Sequence, residues 1–506
     1  DLDGFAIAHG IAGALFVTVL GNLIDAGRLI RTIADDSWSS TPFFEWFWTA
    51  TRAIPHLASE AAPISEFPFF TFLYGDLHAH AMSLPFTVLV LALVLSALLP
   101  ASPPGPPASA SVRLGMLALA LGALFPLNAW DYPTYSAIVV AGLLFGGWLR
   151  RGQGESLLRV GAMAAMQAVT VVAASRLLFW PFFERYGQAY GSFRLWHGSH
   201  TSVAAYLAIH GLFLFLISST VAWVAAARAT AVRRDHRGVA ALGFAGLLAA
   251  TGLLLTVLVE FVVLAGDIGR MNTVFKFYLQ AWVLLSMGAA TGTAVILDGW
   301  RLLCARPAWM DAAGAVWVGL ACALVAAAAS YPVLATRARW HDRFPSDAGF
   351  TLDGEAFMRT ATHTEAGTTF ALAPDLDAIR WLRSTVSGTP VIAEALLPEY
   401  RWGARISSHT GLPTILGWRV HETQQRALLP QEVISRRADD VAALYGTTDI
   451  ETARAVLARY HVELVYVGPL ERLLYPADGL AKFQRHPSVW QPVYDRNGVV
   501  IYRVTS

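Results

Sequence analysis

Long apolar runs, nearly free of charge, constrain this chain more than any other feature. They lie at roughly 5–23, 81–99, 114–128, 135–149, 158–179, 203–226, 240–265, 275–297 and 312–334. A bilayer core about 30 Å thick is crossed by about 20 apolar residues rising 1.5 Å each, so most of these runs are of spanning length. The hydrophobic share is 55% and the charged share 14%, and a soluble domain of this length has no interior large enough for that much apolar surface. The excess faces lipid. The expected fold is an α-helical polytopic membrane bundle of about nine transmembrane helices, with a small C-terminal α/β soluble domain.

The domain boundary follows from a change of texture. Beyond Arg337 the sequence becomes charged and mixed in period, which divides the chain into a helical membrane domain at 1–335 and a soluble domain at 336–506. Segments 376–383 and 450–460 read as amphipathic helices. Segments 390–394, 464–467 and 499–504 read as strands. Asn497-Gly498 suits a type I′ turn joining 491–494 to 499–504.

Orientation is read from arginine, because short cytoplasmic loops retain positive charge. Arg150, Arg151 and Arg159 flank one connection, Arg228, Arg233, Arg234 and Arg237 the next but one, and Arg301 and Arg306 the next but one again. These are expected inside, with the Pro/Ser-rich stretch 101–111 as an inner linker. The connections holding Asp76, Asp131, Glu184 and Asp267 then lie outside, as does the C-terminal domain. The expected location is the cell membrane, multi-pass, with an extracytoplasmic tail domain. A net charge of +1 and the lack of any basic run exclude a nucleic-acid partner. Cys304 and Cys322 fall in an inner loop and a membrane helix, positions that do not suit a disulfide. The chain opens on Asp1 without Met and reads as a piece beginning inside a longer protein.

Four polar clusters interrupt the apolar pattern. The first runs from Glu66 through Asp76, His78 and His80, just before a span. A carboxylate and two imidazoles at alternate positions suit a divalent metal or the protonation of an anionic head group. Histidines bonded within a re-entrant turn are the plainer reading. The second is Asp131, set among Trp130, Tyr132 and Tyr135 between two spans, either an acid/base for an acceptor hydroxyl, a metal ligand or a helix cap. The third, Glu184 to His197, alternates cationic and aromatic side chains, with Tyr190 and Arg194 suited to a sugar or phosphate. An amphipathic interfacial segment would look alike. In the fourth, Glu260 precedes Asp267, Arg270, Asn272 and Lys276. Lysine occurs only at Lys276 and Lys482 in this arginine-rich chain, so Lys276 at the mouth of a span suggests a need for a compact ammonium. Arg270 and Lys276 together would clamp a lipid-linked phosphate, against the alternative of snorkelling to ordinary head groups.

These motifs, with Gly21-Asn-Leu and the stretches Thr410-Gly-Leu-Pro-Thr and Gly417-Trp-Arg-Val-His-Glu, resemble the YYY family (Chlor_Arch_YYY) of polytopic membrane proteins. That family is distantly similar to the C-superfamily (GT-C) glycosyltransferases. The resemblance covers nearly the whole chain and implies a multi-spanning fold with an outer C-terminal domain. The triple tyrosine that names the family is absent, and the catalytic acid usual in the first outer loop of such enzymes is expected in a preceding segment. Glu394, Arg405, His409, Trp418, His421, Glu422 and Arg426 look like the family's residues, either capping the membrane groove or forming a packed, charge-paired domain core.

The expected activity is transfer of a sugar from a polyprenyl-phosphate donor on the extracytoplasmic face. Asp76, Asp131, His78 and His80 are the catalytic candidates. Glu66, Arg270, Asn272, Lys276, Arg194, Tyr190, His421 and Glu422 are the substrate-binding candidates. Membrane lipid and a polyprenyl-phosphate-linked sugar are the expected partners, and a divalent metal on Asp76, His78 and His80 is the one cofactor considered. A non-catalytic transporter or flippase of lipid-linked glycans is the alternative, and a metal-dependent membrane hydrolase the third reading.

Overall fold

A computed structural model of the chain describes residues 4–99, 107–152, 155–187, 192–227, 236–302, 308–343, 349–426 and 428–505. Tyr190, Cys304, most of the linker 101–111 and the loop residues Arg228, Arg233, Arg234 and Arg306 lie outside the described residues. The chain divides into two units, one of residues 1–186 and 190–343, the other of residues 187–189 and 344–506.

In the first unit α1 (Gly4–Thr18), α2 (Ile24–Ala34), α3 (Glu45–Trp48) and α4 (Pro68–Tyr74) precede the long helices. Then come α5 (Ala79–Leu98), α6 (Pro107–Leu127), α7 (Asp131–Leu149), α8 (Leu157–Leu178) and the short α9 (Trp180–Arg185). After β1 (Phe193–Leu195) follow α10 (Val203–Ala227), α11 (His236–Leu258), β2 (Val262–Leu264), α12 (Met271–Leu302) and α13 (Ala308–Arg343). Strands β1 and β2 pair antiparallel in the two connections that they occupy.

Among the described residues eight helices, α5 to α8 and α10 to α13, are long and apolar enough to cross a membrane. The first expected run departs from this. It forms α1, 15 residues of helix, or about 22 Å at the helical rise and short of the apolar core. The chain leaves the helix because residues 21–23 are bonded to other segments. The Gly21 amide donates to the Ala328 carbonyl at 3.1 Å, and the Asn22 side chain donates to the Ala50 carbonyl at 2.7 Å. Gly21 is required by proximity, since a Cβ there would stand 2.4 Å from Tyr331 Cβ.

Helix α12 is the centre of this unit. In its apolar window 72% is buried, against 17% for α8 and 11% for α13, so α8 and α13 turn most of their apolar surface outward. The contacts of α12 run to α1, α10 and α11, through a seam of Tyr278, Trp282, Leu285 and Ala289. Burying such side chains removes them from both lipid and water and interlocks the helices by shape.

The second unit is the expected small α/β fold. It comprises β3 (Thr362–Glu365), β4 (Thr368–Ala371), α14 (Ala373–Thr385), β5 (Val391–Ala393), α15 (Arg405–Thr410), α16 (Arg419–Gln425), α17 (Gln431–Gly446) and α18 (Ile450–Arg459). Then follow β6 (Val462–Val467), α19 (Pro469–Leu474), α20 (Ala477–Arg485), β7 (Trp490–Arg496) and β8 (Val499–Val504). The main sheet has the order β5-β6-β8-β7. Its hairpin turns at Asn497 and Gly498, with φ of 50° and 79°, the two positive values a type I′ turn needs.

Two apolar clusters cover the faces of this sheet, and a charge network lies between its elements. Arg405 donates to Asp375 at 2.6 Å and to both oxygens of Glu471 at 3.1 and 3.0 Å. Glu394 accepts the Ile406 and Ser407 amides, each at 2.8 Å. For Arg405 the charge-paired core is therefore the reading that the contacts support, with Glu394 buried beside it on backbone amides.

Candidate functional site

The site is built where the first turns of α5, α7 and α12 meet the segment before α4. Pro68 starts α4, where a missing amide costs nothing, and Gly75 ends it with φ of 76°, in the left-handed region that glycine adopts freely. That turn lifts Asp76, Leu77 and His78 clear of α4 before α5 begins at Ala79. Asp76 and His78 are exposed, while His80, the second residue of α5, is buried.

Lys276, in the second turn of α12, converges on both imidazoles. Its Nζ lies 3.4 Å from His78 Nδ1 and 3.2 Å from His80 Nδ1, and the two Nδ1 atoms are 2.8 Å apart. Lys276 is 6% exposed, so its ammonium has exchanged most of its water for the paired imidazoles and the face of Phe275, 4.3 Å away. His80 Nε2 is 3.6 Å from Glu66 Oε2. The same Glu66 oxygen accepts from Thr71 Oγ1 at 3.1 Å.

Asp131 closes the far side. It is buried at the first position of α7, accepts from Ser83 Oγ at 2.6 Å and is hydrogen-bonded by the Asn128 side chain. Its carboxylate acts electrostatically on Lys276, as do Glu66 and Asp76. Gln280, one turn along α12 from Lys276, donates to the Trp130 carbonyl at 3.1 Å and ties α12 to the turn before α7.

The environment sets protonation outside the spans. Burial pushes the Glu66 carboxyl above its ordinary value, against the Thr71 hydrogen bond and the charges of Arg52, Lys276 and His78. Burial, with the Lys276 ammonium and His80 beside it, pushes the His78 imidazole down to about 4. At neutral pH His78 is therefore an uncharged base beside the Lys276 side chain.

The structure thus brings Glu66, Asp76, His78, His80, Asp131 and Lys276 to one end of the bundle, and it separates them from other expected members. Arg270 does not join Lys276 as a phosphate clamp. It is 1% exposed and held by Glu260 Oε1 at 2.7 Å, with further bonds to the Val259 carbonyl and Thr201 Oγ1 at 3.3 Å. A buried guanidinium takes the nearest carboxylate because leaving either charge unpaired is costly. Asn272 is likewise engaged, its amide and side chain both donating to Asp267 Oδ1 at 3.1 and 3.0 Å.

Arg194 is exposed on β1, and Tyr190 lies outside the described residues. His421 and Glu422 belong to the second unit. There His421 Nε2 is 3.1 Å from the Tyr400 hydroxyl, and Glu422 accepts from Arg426 at 2.5 Å. Nor is a chelating set formed by Asp76, His78 and His80: no three His, Cys, Asp or Glu side chains group as metal ligands among the described residues. The place between the two imidazoles belongs to the Lys276 ammonium, and like charge repels a metal ion there.

Three contributors escaped the sequence reading. Ser83 stands three residues beyond His80 and Gln280 four beyond Lys276, spacings that place each pair on one helix face. Arg52, which acts on Glu66 and stacks 4.8 Å above Trp48, comes from a loop with no such signal.

The family described as "Uncharacterized membrane protein (DUF2298)" matches residues 3–236 and 219–285, together more than half of the 506 residues. No curated protein matches. Among solved structures, the chain is similar to the Archaeoglobus fulgidus oligosaccharyltransferase, crystallised with an acceptor peptide containing the NVT sequon tethered by a disulfide bond. The identity is 14% and the TM-score 0.30, with 99% of this chain covered but only 65% of that one.

Proposed function

We propose that this chain, which belongs to the DUF2298 family of membrane proteins, is a membrane-embedded transferase that moves a sugar from a polyprenyl-phosphate donor to an acceptor at the extracytoplasmic face. The observation that carries the reading is the Lys276 ammonium, sunk at the bundle end against two imidazoles, with exposed Asp76 and His78 at its mouth. In such a site the acceptor oxygen bonds to the anomeric carbon while the bond from that carbon to the phosphate oxygen breaks. The polyprenyl phosphate leaves with the electron pair, its charge met by Lys276. The acceptor proton passes to Asp76 or to the neutral His78. Glu66, His80, Ser83 and Asp131 hold the cluster in place, with Asp131 too enclosed to meet an acceptor directly. The resemblance of these motifs to the YYY family and the C-superfamily glycosyltransferases points the same way.

A transporter would need charged or polar groups continuing through the bundle. Beyond Gln280 the buried face of α12 carries Trp282, Val283, Leu284, Leu285, Ala289, Ala290 and Ile296, with Ser286 the polar exception. An apolar plug of this kind favours chemistry at one end over passage. The arginine distribution supports placing that end outside, together with the soluble domain at 336–506.

The test is transfer of radiolabelled sugar from polyprenyl phosphate by the full chain in proteoliposomes. Replacing Lys276 by Met is expected to slow transfer by about 10²–10³-fold, the cost of losing one oxyanion donor. Asp76→Asn and His78→Gln should distinguish the base. Equal transfer by wild type and all three variants would remove this cluster from the mechanism.

A further inference from the structure

A groove of 380 Å³ runs between α7 and α8, lined by none of the residues of the Lys276 cluster. Val140 and Leu144 line it from α7, Ala168 and Val172 from α8, and its single charged lining residue is Arg176. From Ala165 to Arg176 the helix rises about 16 Å, half of a 30 Å apolar core. The groove therefore has the depth of one leaflet, with the cation in the last turn of α8, where head groups begin.

The surroundings fit that placement. Among the described residues Arg176 meets aromatic rings and no carboxylate within ion-pair reach. Its guanidinium lies 4.8 Å from the Phe183 ring and 5.8 Å from the Tyr132 ring. The Tyr132 hydroxyl bonds Ser175 Oγ at 2.8 Å, which fixes the ring on which Arg176 rests. An exposed guanidinium resting on two rings, with no carboxylate paired to it among the described residues, is available to a phosphate. The small side chains Ala165, Ala168 and Ala173 leave the room beneath it. Helix α8 turns most of its surface outward, including Val169, Leu177 and Leu178, so the groove opens to lipid.

We propose that the α7–α8 groove seats the apolar tail of a net-anionic phospholipid, with Arg176 pairing with the uncompensated charge of its phosphate head. In a bilayer the tail gains nothing merely by leaving other tails, since they are as apolar as leucine. The groove supplies shape, and selectivity for the anionic head comes from Arg176. The site is independent of the sugar-transfer reading and stands or falls on binding alone.

The experiment is native mass spectrometry of the full chain in detergent, titrated with dioleoylphosphatidic acid, dioleoylphosphatidylcholine or inorganic phosphate. Phosphatidic acid is expected to add one molecule at saturation, about fivefold more tightly than phosphatidylcholine. Arg176→Gln should remove that preference and Arg176→Lys retain most of it. Ala165→Phe with Ala173→Phe, at exposed positions that tolerate larger side chains, should weaken both lipids by filling the groove. Equal binding of the two lipids by wild type would overturn the role of Arg176. Full displacement by inorganic phosphate, or unchanged binding after the groove is filled, would overturn the seat for the tail.

Discussion

If Lys276 and His78 share one cluster, removing the ammonium must release part of the depression on the imidazole. The two groups stand 3.4 Å apart, Nζ to Nδ1. At that distance two unit charges interact by about 1 kcal/mol in a water-like dielectric, the appropriate limit for a histidine at an exposed mouth. One pH unit corresponds to about 1.4 kcal/mol, so Lys276→Met should raise the His78 midpoint by about one pH unit. It starts at about 4 and should stop short of the free value near 6.5, because burial is the larger cause and remains. The assay is NMR titration of ¹⁵N-histidine-labelled protein in nanodiscs, with His78→Gln identifying the resonance. A lowered imidazole is neutral above its midpoint, so the wild-type signal should stay in its neutral form from pH 8 to about 5. A wild-type midpoint near 6.5, or one unmoved in Lys276→Met, would refute the shared cluster and the transfer mechanism built on it.

Three further predictions concern the scaffold. Gly21→Ala puts a Cβ 2.4 Å from Tyr331 Cβ, and should lower stability by about 1–3 kcal/mol, read as an earlier thermal transition in detergent. Arg405→Met leaves Asp375 and Glu471 buried without their cation, and should cost about 3–5 kcal/mol in the second unit, seen as lost hydrogen-exchange protection over 391–393 and 462–467. Burial pushes the Glu394 carboxyl up to about 7, against the pull of Arg405 and two backbone amides. A carboxyl raised in the folded state stabilises fully below its unfolded value near 4.3, and that stability is lost as pH rises through about 7. Protection around 405–410 should therefore fall between pH 5 and 8 in wild type and stay level in Glu394→Gln.

The sequence by itself determined the membrane bundle, because a bilayer leaves a long uncharged run no other stable form than a helix. It determined the hairpin too, since Asn497-Gly498 supplies the two positive φ values locally. All four polar clusters stood out as candidates because ionisable residues beside apolar runs are few, and members of three of them, His78 and His80, Asp131 and Lys276, meet in the structure. Which charges meet was decided only in three dimensions. Arg270 and Lys276 lie six residues apart in sequence, yet one is spent on Glu260 and the other turns to His78 and His80, nearly 200 residues away. The cause is the uniformity of the spans. A helix apolar all round carries no mark of the face it buries, so its rotation, and with it the partner of each side chain, is set by packing against helices distant in the chain.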